Sequence, residues 1–148
     1  MENLWSEIIS NKSISVALLA WFFSQSIKIV INILKERKID LRLLLASGGE
    51  ISSHCAAVSA LAVSVGKNFG WNTPVFAISA IFASIVISDA SGIRKEAGKQ
   101  AEILNKIIED LYQKKGIKTE RLRELLGHTA TEVFWGVLLG ILAGTIFW

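Results

Sequence analysis

Four long apolar runs constrain the fold of this chain more than any other feature of its sequence. A helix that crosses a membrane needs about 20 mainly apolar residues. Hydrophobic residues make up 51% of the 148 residues, which is too apolar for an ordinary soluble domain of this size. We therefore predict an all-α fold, an integral membrane helical bundle that forms one domain over residues 1–148. The predicted spans are residues 14–34, 52–69, 74–93 and 129–148.

Basic residues set the predicted orientation of these spans. They concentrate at residues 35–42 and 94–124, and loops rich in Lys and Arg stay in the cytoplasm. The short link before the third span would then lie outside, with Thr73 as N-cap and Pro74 as first helical residue. The second basic loop has a helical apolar pattern, which predicts a cytoplasmic amphipathic helix over about 94–115. Its apolar stripe is expected to pack on the bundle or on the membrane surface, and consists of Ile93, Ala97, Ala101, Leu104, Ile108 and Leu111.

Charge and cysteine content narrow the class of protein further. The net charge of +3 is modest and its basic residues lie in two loops, so nucleic acid is not an expected partner. The one cysteine, Cys55, cannot form an internal disulfide and is expected to be a small packing residue. The N-terminal residues lack the basic region of a signal peptide, and no small-residue cleavage site follows the first apolar run. That run is therefore expected to remain as a span.

The last apolar run opens with an ionisable pair. His128 and Glu132 are four residues apart and so share one face of a helix. Ionisable side chains at membrane depth are costly unless they face protein or water, which makes them candidates for function. The alternative is a polar helix start in which Glu132 complements the helix dipole. Three glycines continue the same face, as a groove or as a helix-pairing surface within or between chains: Gly136, Gly140 and Gly144.

The predicted topology brings the start of the second span, the end of the third and the start of the fourth to one depth at the cytoplasmic surface. Both histidines of the chain, His54 and His128, lie at such helix starts, with Ser53 beside His54. Gln25 and Lys28 share a face of the first span. Lys28 either extends to the membrane surface or faces inward, and we expect the inward position. Helix N-termini, imidazoles, hydroxyls and cations at one level favour an anion such as phosphate.

Three stretches resemble one protein family: residues 48–56 (Gly-Gly-Glu-Ile-Ser-Ser-His-Cys-Ala), residues 89–101 with Leu104 and Asn105, and residues 126–133 (Leu-Gly-His-Thr-Ala-Thr-Glu-Val). They resemble the divergent, bacterial and plant branch of the type 2 phosphatidic acid phosphatases, which is related to the vanadium-dependent haloperoxidases. Gln25 and Lys28 fit the first-span pattern of that branch. The resemblance extends over nearly the whole chain.

The resemblance implies a membrane phosphatase that hydrolyses a lipid phosphomonoester or pyrophosphate through a phosphohistidine, without a metal or other cofactor. It assigns attack on phosphorus to His128, orientation of that histidine to Glu132, and protonation of the leaving oxygen to His54. The residues implied to hold phosphate oxygens are Lys28, Ser53, Arg94 and Gly49. The residues implied to support them are Asp89, Gln25, Ser52 and Asn105.

Departures from the family pattern keep a second function open. Glu50 and Ile51 replace the usual Met-Pro, and Glu50 would repel phosphate if it pointed inward. The alternative function is a catalytically inactive membrane protein that binds phosphate or a lipid head group. A third hypothesis is a membrane scaffold or transporter subunit that uses its glycine row for helix pairing. We expect a bacterial inner membrane protein with its site toward the cytoplasm, membrane lipids and a lipid phosphate as partners, and a homodimer as one alternative assembly.

Overall fold

Helices form the described part of the chain. The computed structural model describes residues 2–37, 51–112 and 127–148. Within those ranges there is no strand, and the predicted all-α class is confirmed. The helices in chain order are α1 (Glu2–Ser10), α2 (Lys12–Glu36), α3 (Ser53–Phe69), α4 (Pro74–Ser91), α5 (Ile93–Tyr112) and α6 (Ala130–Ile146).

Polar caps set where the apolar helices begin. Thr73 caps α4 with its side chain and Pro74 is the first residue of that helix, as predicted. Proline fits this position because the first helical N–H has no partner within the helix. Ser52 caps α3, and its Oγ accepts the backbone N–H of Cys55 at 3.4 Å. Gly70 ends α3 with φ of 96°, a conformation that glycine adopts without steric cost. A tight turn therefore joins α3 to α4.

The central helix of the bundle is α3, which contacts α2, α4 and α6. Its sequence is rich in Ser and Ala, and small side chains let helices approach closely in lipid, where packing drives association. The outward surfaces of the surrounding helices carry large apolar side chains instead, as suits faces in contact with lipid. On α4 these exposed side chains are Val75, Ile78, Ile81, Phe82 and Ile85.

The glycine row of α6 packs against α3 of the same chain. A Cβ atom on Gly140 would overlap the carbonyl oxygen of Ala56, and one on Gly144 would lie 2.7 Å from the Cβ of Val63. Gly136 meets the N-terminal end of α3 in the same way. The glycine row therefore pairs α6 with α3 within one chain, which is one of the alternatives left open by the sequence.

The bundle has two ends, between which the helices alternate in direction. At the end that we call the His128 end, α3 and α6 begin and α4 finishes. At the opposite end, the Trp148 end, α2 begins and α3 and α6 finish. There, Asn68 donates to the Ser13 hydroxyl at 3.1 Å, and the indole N–H of Trp148 donates to the Asn68 side-chain oxygen at 2.9 Å. These bonds tie the first turn of α2 to the last turns of α3 and α6.

Two helical stretches are long and apolar enough to cross a membrane, judged by length and composition: Lys12–Lys35 and Pro74–Glu109. Ala130–Ile146 is a shorter apolar helix. The four predicted spans correspond in position to α2, α3, α4 and α6, while their number stays a prediction.

The predicted amphipathic helix corresponds to α5, but its buried side differs from the predicted apolar stripe. Ala101 is buried, whereas Ile93 is 72% exposed and Leu104 is 48% exposed. Among the described helices α5 contacts α4 alone, so the bundle covers little of its surface. Ile93 and Leu104 therefore do not pack on the bundle, which leaves the membrane surface as the predicted partner of that face.

Candidate active site

Backbone hydrogen bonds join three chain segments at the His128 end. The N–H of Ser52, at the start of α3, donates to the carbonyl oxygen of Glu132 at 3.0 Å. The N–H of His128, before α6, donates to the carbonyl oxygen of Ala90 near the end of α4 at 2.9 Å. The sequence predicted these three helix ends at one depth. The two bonds fix the ends against one another, so side chains from all three can act together.

His128 and Glu132 form the contact that their four-residue spacing predicts. Nδ1 of His128 lies 2.9 Å from Oε2 of Glu132, and the His128 side chain is only 4% exposed. Gly127, just before it, has φ of 87°, a left-handed conformation that favours glycine. The turn at Gly127 thus leads the chain into α6 with the imidazole directed into the protein.

The same carboxylate closes the start of α6. Oε2 of Glu132 accepts the N–H of Thr129 at 3.2 Å, and the Thr129 hydroxyl accepts the N–H of Glu132 at 3.3 Å. This reciprocal arrangement is a capping box, which satisfies two backbone donors of the first turn. Glu132 therefore contacts both the start of the helix and the imidazole. These two contacts fix the rotamer of the Glu132 side chain.

The contact with Glu132 also defines the tautomer of the His128 imidazole. An ionised carboxylate accepts hydrogen bonds and donates none, so the proton of a neutral His128 lies on Nδ1. The other ring nitrogen, Nε2, then carries a free lone pair. A buried imidazole with this tautomer can act as a nucleophile or as a proton acceptor.

A cation from α2 reaches the start of α3. Nζ of Lys28 lies 3.4 Å from the hydroxyl of Ser53, and both residues are buried, at 4% and 2% exposure. The Lys28 ammonium group is also close enough to the Glu132 carboxylate for the two charges to interact. Lys28 therefore faces inward, as predicted, and does not extend to the membrane surface. Gln25 lies one turn earlier in α2 and is buried as well.

The remaining predicted site residues differ in burial, and some lie outside the described part of the structure. His54 is exposed in the first turn of α3, and Asp89 is half-buried beside Ala90 near the end of α4. Asn105 is buried in α5. Arg94 lies in the first turn of α5, and its side chain is outside the described part of the structure. Gly49 and Glu50 are outside the described residues altogether. The geometry therefore joins Lys28, Ser52, Ser53, His128 and Glu132, and leaves the places of the other side chains as predictions.

A small apolar cluster lies against this site. It consists of Cys55, Ala90 and Val133, with Ile87 and Val137 packed on it. Cys55 has no exposed surface, so the expectation of a packing residue is confirmed. The cluster packs α3, α4 and α6 together close to their polar ends.

Two contributors to the site were not predicted from the sequence. The Ala90 carbonyl acts through the backbone, and its side chain gives no signal of that role. The capping role of Thr129 does have a signal, because Thr129 and Glu132 follow the pattern of Ser or Thr with an acid three residues later. Among residues 2–37, 51–112 and 127–148, no three His, Cys, Asp or Glu side chains converge as metal ligands would.

Comparisons with known proteins place the chain in a family. The model of the Divergent PAP2 family matches residues 9–143. A relative from Bacillus subtilis (strain 168), described as "Uncharacterized membrane protein YuiD", is 40% identical over 147 residues, which cover 92% of this chain and 93% of the relative. No solved structure shows a significant match. The family match runs from α2 into α6 and includes His128 and Glu132, and the chain belongs to the Divergent PAP2 family.

Proposed function

We propose that this protein hydrolyses a lipid phosphomonoester or pyrophosphate, with His128 as the nucleophile. The observation that carries the proposal is the buried His128–Glu132 pair, whose Nδ1–Oε2 distance is 2.9 Å. A nucleophilic imidazole needs a group that holds its tautomer and stabilises the positive charge that develops on attack. Glu132 is positioned for both tasks. Membership of the Divergent PAP2 family supports a phosphatase-related reaction.

The proposed reaction has two steps that share the same nitrogen. Nε2 of His128 attacks phosphorus in line with the leaving oxygen, so an N–P bond forms as the P–O bond breaks. His54 gives its proton to that oxygen, and the alcohol or shorter phosphate leaves. A water molecule then attacks the phosphohistidine, His54 accepts a proton from the water, and inorganic phosphate is released with His128 restored.

Phosphate binding in this proposal depends on cations and backbone donors. Charge on the phosphoryl oxygens is stabilised best by donors that are already in place before reaction. Lys28 meets this requirement because it is buried against Ser53 at 3.4 Å. The N-termini of α3 and α6 add the positive ends of their helix dipoles. Arg94 and the backbone of Gly49 are proposed to complete the site.

A lipid is the proposed substrate because of where the site lies. The His128 end is built from helices whose outer surfaces are apolar, so a phosphate held there would be attached to a molecule that partitions into the membrane. A soluble phosphate ester would gain no binding energy from these apolar surfaces.

The proposal is tested by phosphate release from the purified protein in lipid or detergent. Phosphatidic acid, phosphatidylglycerophosphate and an isoprenyl pyrophosphate are compared in wild type, His128→Asn and His54→Asn. We expect release by wild type that is lost by at least 100-fold in both variants. Lys106→Ala serves as the control, because Lys106 is an exposed partner of Glu102 on α5.

Binding of vanadate separates the competing functions. If no substrate releases phosphate but vanadate raises the Tm of wild type and not of Lys28→Met, the protein is an inactive phosphate-binding protein. If all variants behave as wild type in both measurements, the site has neither role, and the scaffold hypothesis replaces the phosphatase.

A further inference from the structure

An apolar cavity of about 220 Å³, largely open to the surroundings of the bundle, lies against α3, α4 and α6, farther along the helices toward the Trp148 end than the His128 site. Its walls are almost entirely hydrocarbon, and the one hydroxyl among them belongs to Ser59. The residues that matter for its shape are Ser59 and Val63 of α3, Ala80 and Ala83 of α4, Trp71, and Ile141 of α6.

Three helices independently give the distance from the His128 site to this cavity. A helix rises 1.5 Å per residue. Ser59 lies six residues beyond Ser53 on α3, about 9 Å along the axis. Ala83 lies seven residues before Ala90 on α4, about 10 Å, and Ile141 lies nine residues beyond Glu132 on α6, about 14 Å. The near edge of the cavity therefore lies about 9 to 14 Å along the helices from the His128 site, toward the Trp148 end.

Trp71 lines the cavity at the Trp148 end. Its ring packs on Gly66, where a Cβ atom would lie 2.5 Å from the ring. It also contacts Phe76 edge to face, with ring centroids 5.1 Å apart. A chain that follows the cavity away from the His128 site therefore meets the Trp71 ring.

The size and lining of the cavity indicate the chemistry of its occupant. Pockets that enclose a whole small molecule measure roughly 300–1,000 Å³, so this cavity suits one segment of a longer molecule. Apolar walls exclude a head group, because a charged or strongly polar group would lose its hydration without new hydrogen bonds. A single hydrocarbon chain satisfies both conditions.

We propose that this cavity binds a segment of the hydrocarbon chain of the lipid whose phosphate is held at the His128 site. The inference rests on the proposed function for the head group, and adds to it a selection for chain length. Lipids with long chains fill the cavity, whereas chains that end within about 9 Å of the phosphate do not reach it.

Two matched substitutions on α4 test the chain site by hydrolysis. Ala80→Leu fills the cavity, and Ala77→Leu adds the same atoms at an exposed position of the same helix. For dioleoyl phosphatidic acid we expect Ala80→Leu to lower kcat/KM about tenfold, the effect of displacing about two buried methylene groups. Dibutyryl phosphatidic acid should be unaffected, and Ala77→Leu should match wild type on both. Equal effects on both lipids, or none on either, would overturn the chain site.

A second measurement does not depend on turnover. Trp71 lines the cavity, and bromine on an acyl chain quenches tryptophan fluorescence at contact range. Brominated phosphatidic acid should quench wild type more than brominated phosphatidylcholine does at the same fraction in the vesicles. We expect Trp71→Phe to lose this selective quenching and Ala80→Leu to reduce it. Equal quenching by the two lipids would mean ordinary contact with the membrane, and would overturn the proposal.

The two measurements separate failure of the chain site from failure of the proposed function. Selective quenching without phosphate release from any lipid would overturn hydrolysis and support the chain site. If the rate of phosphate release depends neither on chain length nor on Ala80→Leu, and quenching is equal for the two lipids, the chain site is overturned. Hydrolysis at the His128 site would still be supported.

Discussion

At the scale of single residues, the Glu132 carboxylate has two hydrogen-bond partners, each of which could account for its presence. Its Oε2 atom accepts the N–H of Thr129 at 3.2 Å and lies 2.9 Å from Nδ1 of His128. The first contact stabilises the start of α6, and the second orients the imidazole. The two roles can be separated because the Thr129 hydroxyl caps the helix and contacts the Thr131 hydroxyl at 2.9 Å, whereas the contact with the imidazole belongs to Glu132.

Glu132→Gln is predicted to remove activity while keeping the fold. Glutamine can replace glutamate in a capping box, so the start of α6 keeps its cap, and the Tm should fall only through the lost interaction with the Lys28 charge. A neutral amide no longer stabilises the positive charge that develops on His128 during attack, and phosphate release should fall about 100-fold or more. Release from phosphatidic acid and the Tm are measured on the same preparation.

Thr129→Ala is the matched control for that substitution. It removes the capping hydroxyl, so the free energy of unfolding should fall by about 1 kcal/mol. Because the contact between Glu132 and His128 is untouched, activity at a temperature well below the Tm should stay within a few-fold of wild type. If Glu132→Gln lowers the Tm as Thr129→Ala does and leaves activity intact, Glu132 is a cap and nothing more.

Part of the site could be predicted at this scale, and the rest could not. Spacing alone puts His128 and Glu132 on one face of a helix, and their contact is present. The inward position of Lys28 also follows from sequence, because it lies well inside an apolar run. The bond from the His128 N–H to the Ala90 carbonyl could not be predicted, since a backbone acceptor carries no residue-specific signal.

At the scale of helices, the packing of α6 on α3 decides how closely the two N-termini at the His128 end approach. The glycine row was recognisable in the sequence, but its partner was not, because the same row suits pairing within a chain or between two chains. The Cβ clashes at Gly136, Gly140 and Gly144 identify α3 as that partner. The buried side of α5 was harder to predict, because α4 is the one helix of the described residues that contacts it, and the apolar pattern exceeds what that contact can bury.

Gly140→Ala is predicted to destabilise the protein, against the intrinsic preference of a helix. In an unpacked helix the change would stabilise by about 1 kcal/mol. Here the new methyl group would overlap the Ala56 carbonyl oxygen, so α6 must move away from α3, and a loss of about 1–3 kcal/mol is expected. Thermal or denaturant unfolding in detergent measures it. The control is Leu142→Ala, which shortens a side chain that is 48% exposed on α6 and should change stability less. If Gly140→Ala stabilised the protein, the close packing of α6 on α3 would be refuted.

At the scale of the whole molecule, the alternation of helix directions brings both ends of the described chain to the Trp148 end. The bonds among Ser13, Asn68 and Trp148 place the start of α2 and the finish of α6 side by side. The basic stretches at residues 35–42 and 94–124 follow helices that finish at the His128 end. Helix direction and charge distribution together therefore support the proposed orientation, with the His128 end toward the cytoplasm.

Labelling of single cysteines tests this orientation in cells. The chain has one cysteine, Cys55, which is fully buried, so Cys55→Ala gives a background for new sites. Asn72→Cys lies in the exposed turn between α3 and α4 at the Trp148 end, and Lys99→Cys lies on the exposed surface of α5. By the positive-inside rule, a membrane-impermeant maleimide should label Asn72→Cys in intact cells, and Lys99→Cys only after permeabilisation. The reverse pattern would put the His128 site on the outer face, so its lipid phosphate would have to come from the outer leaflet.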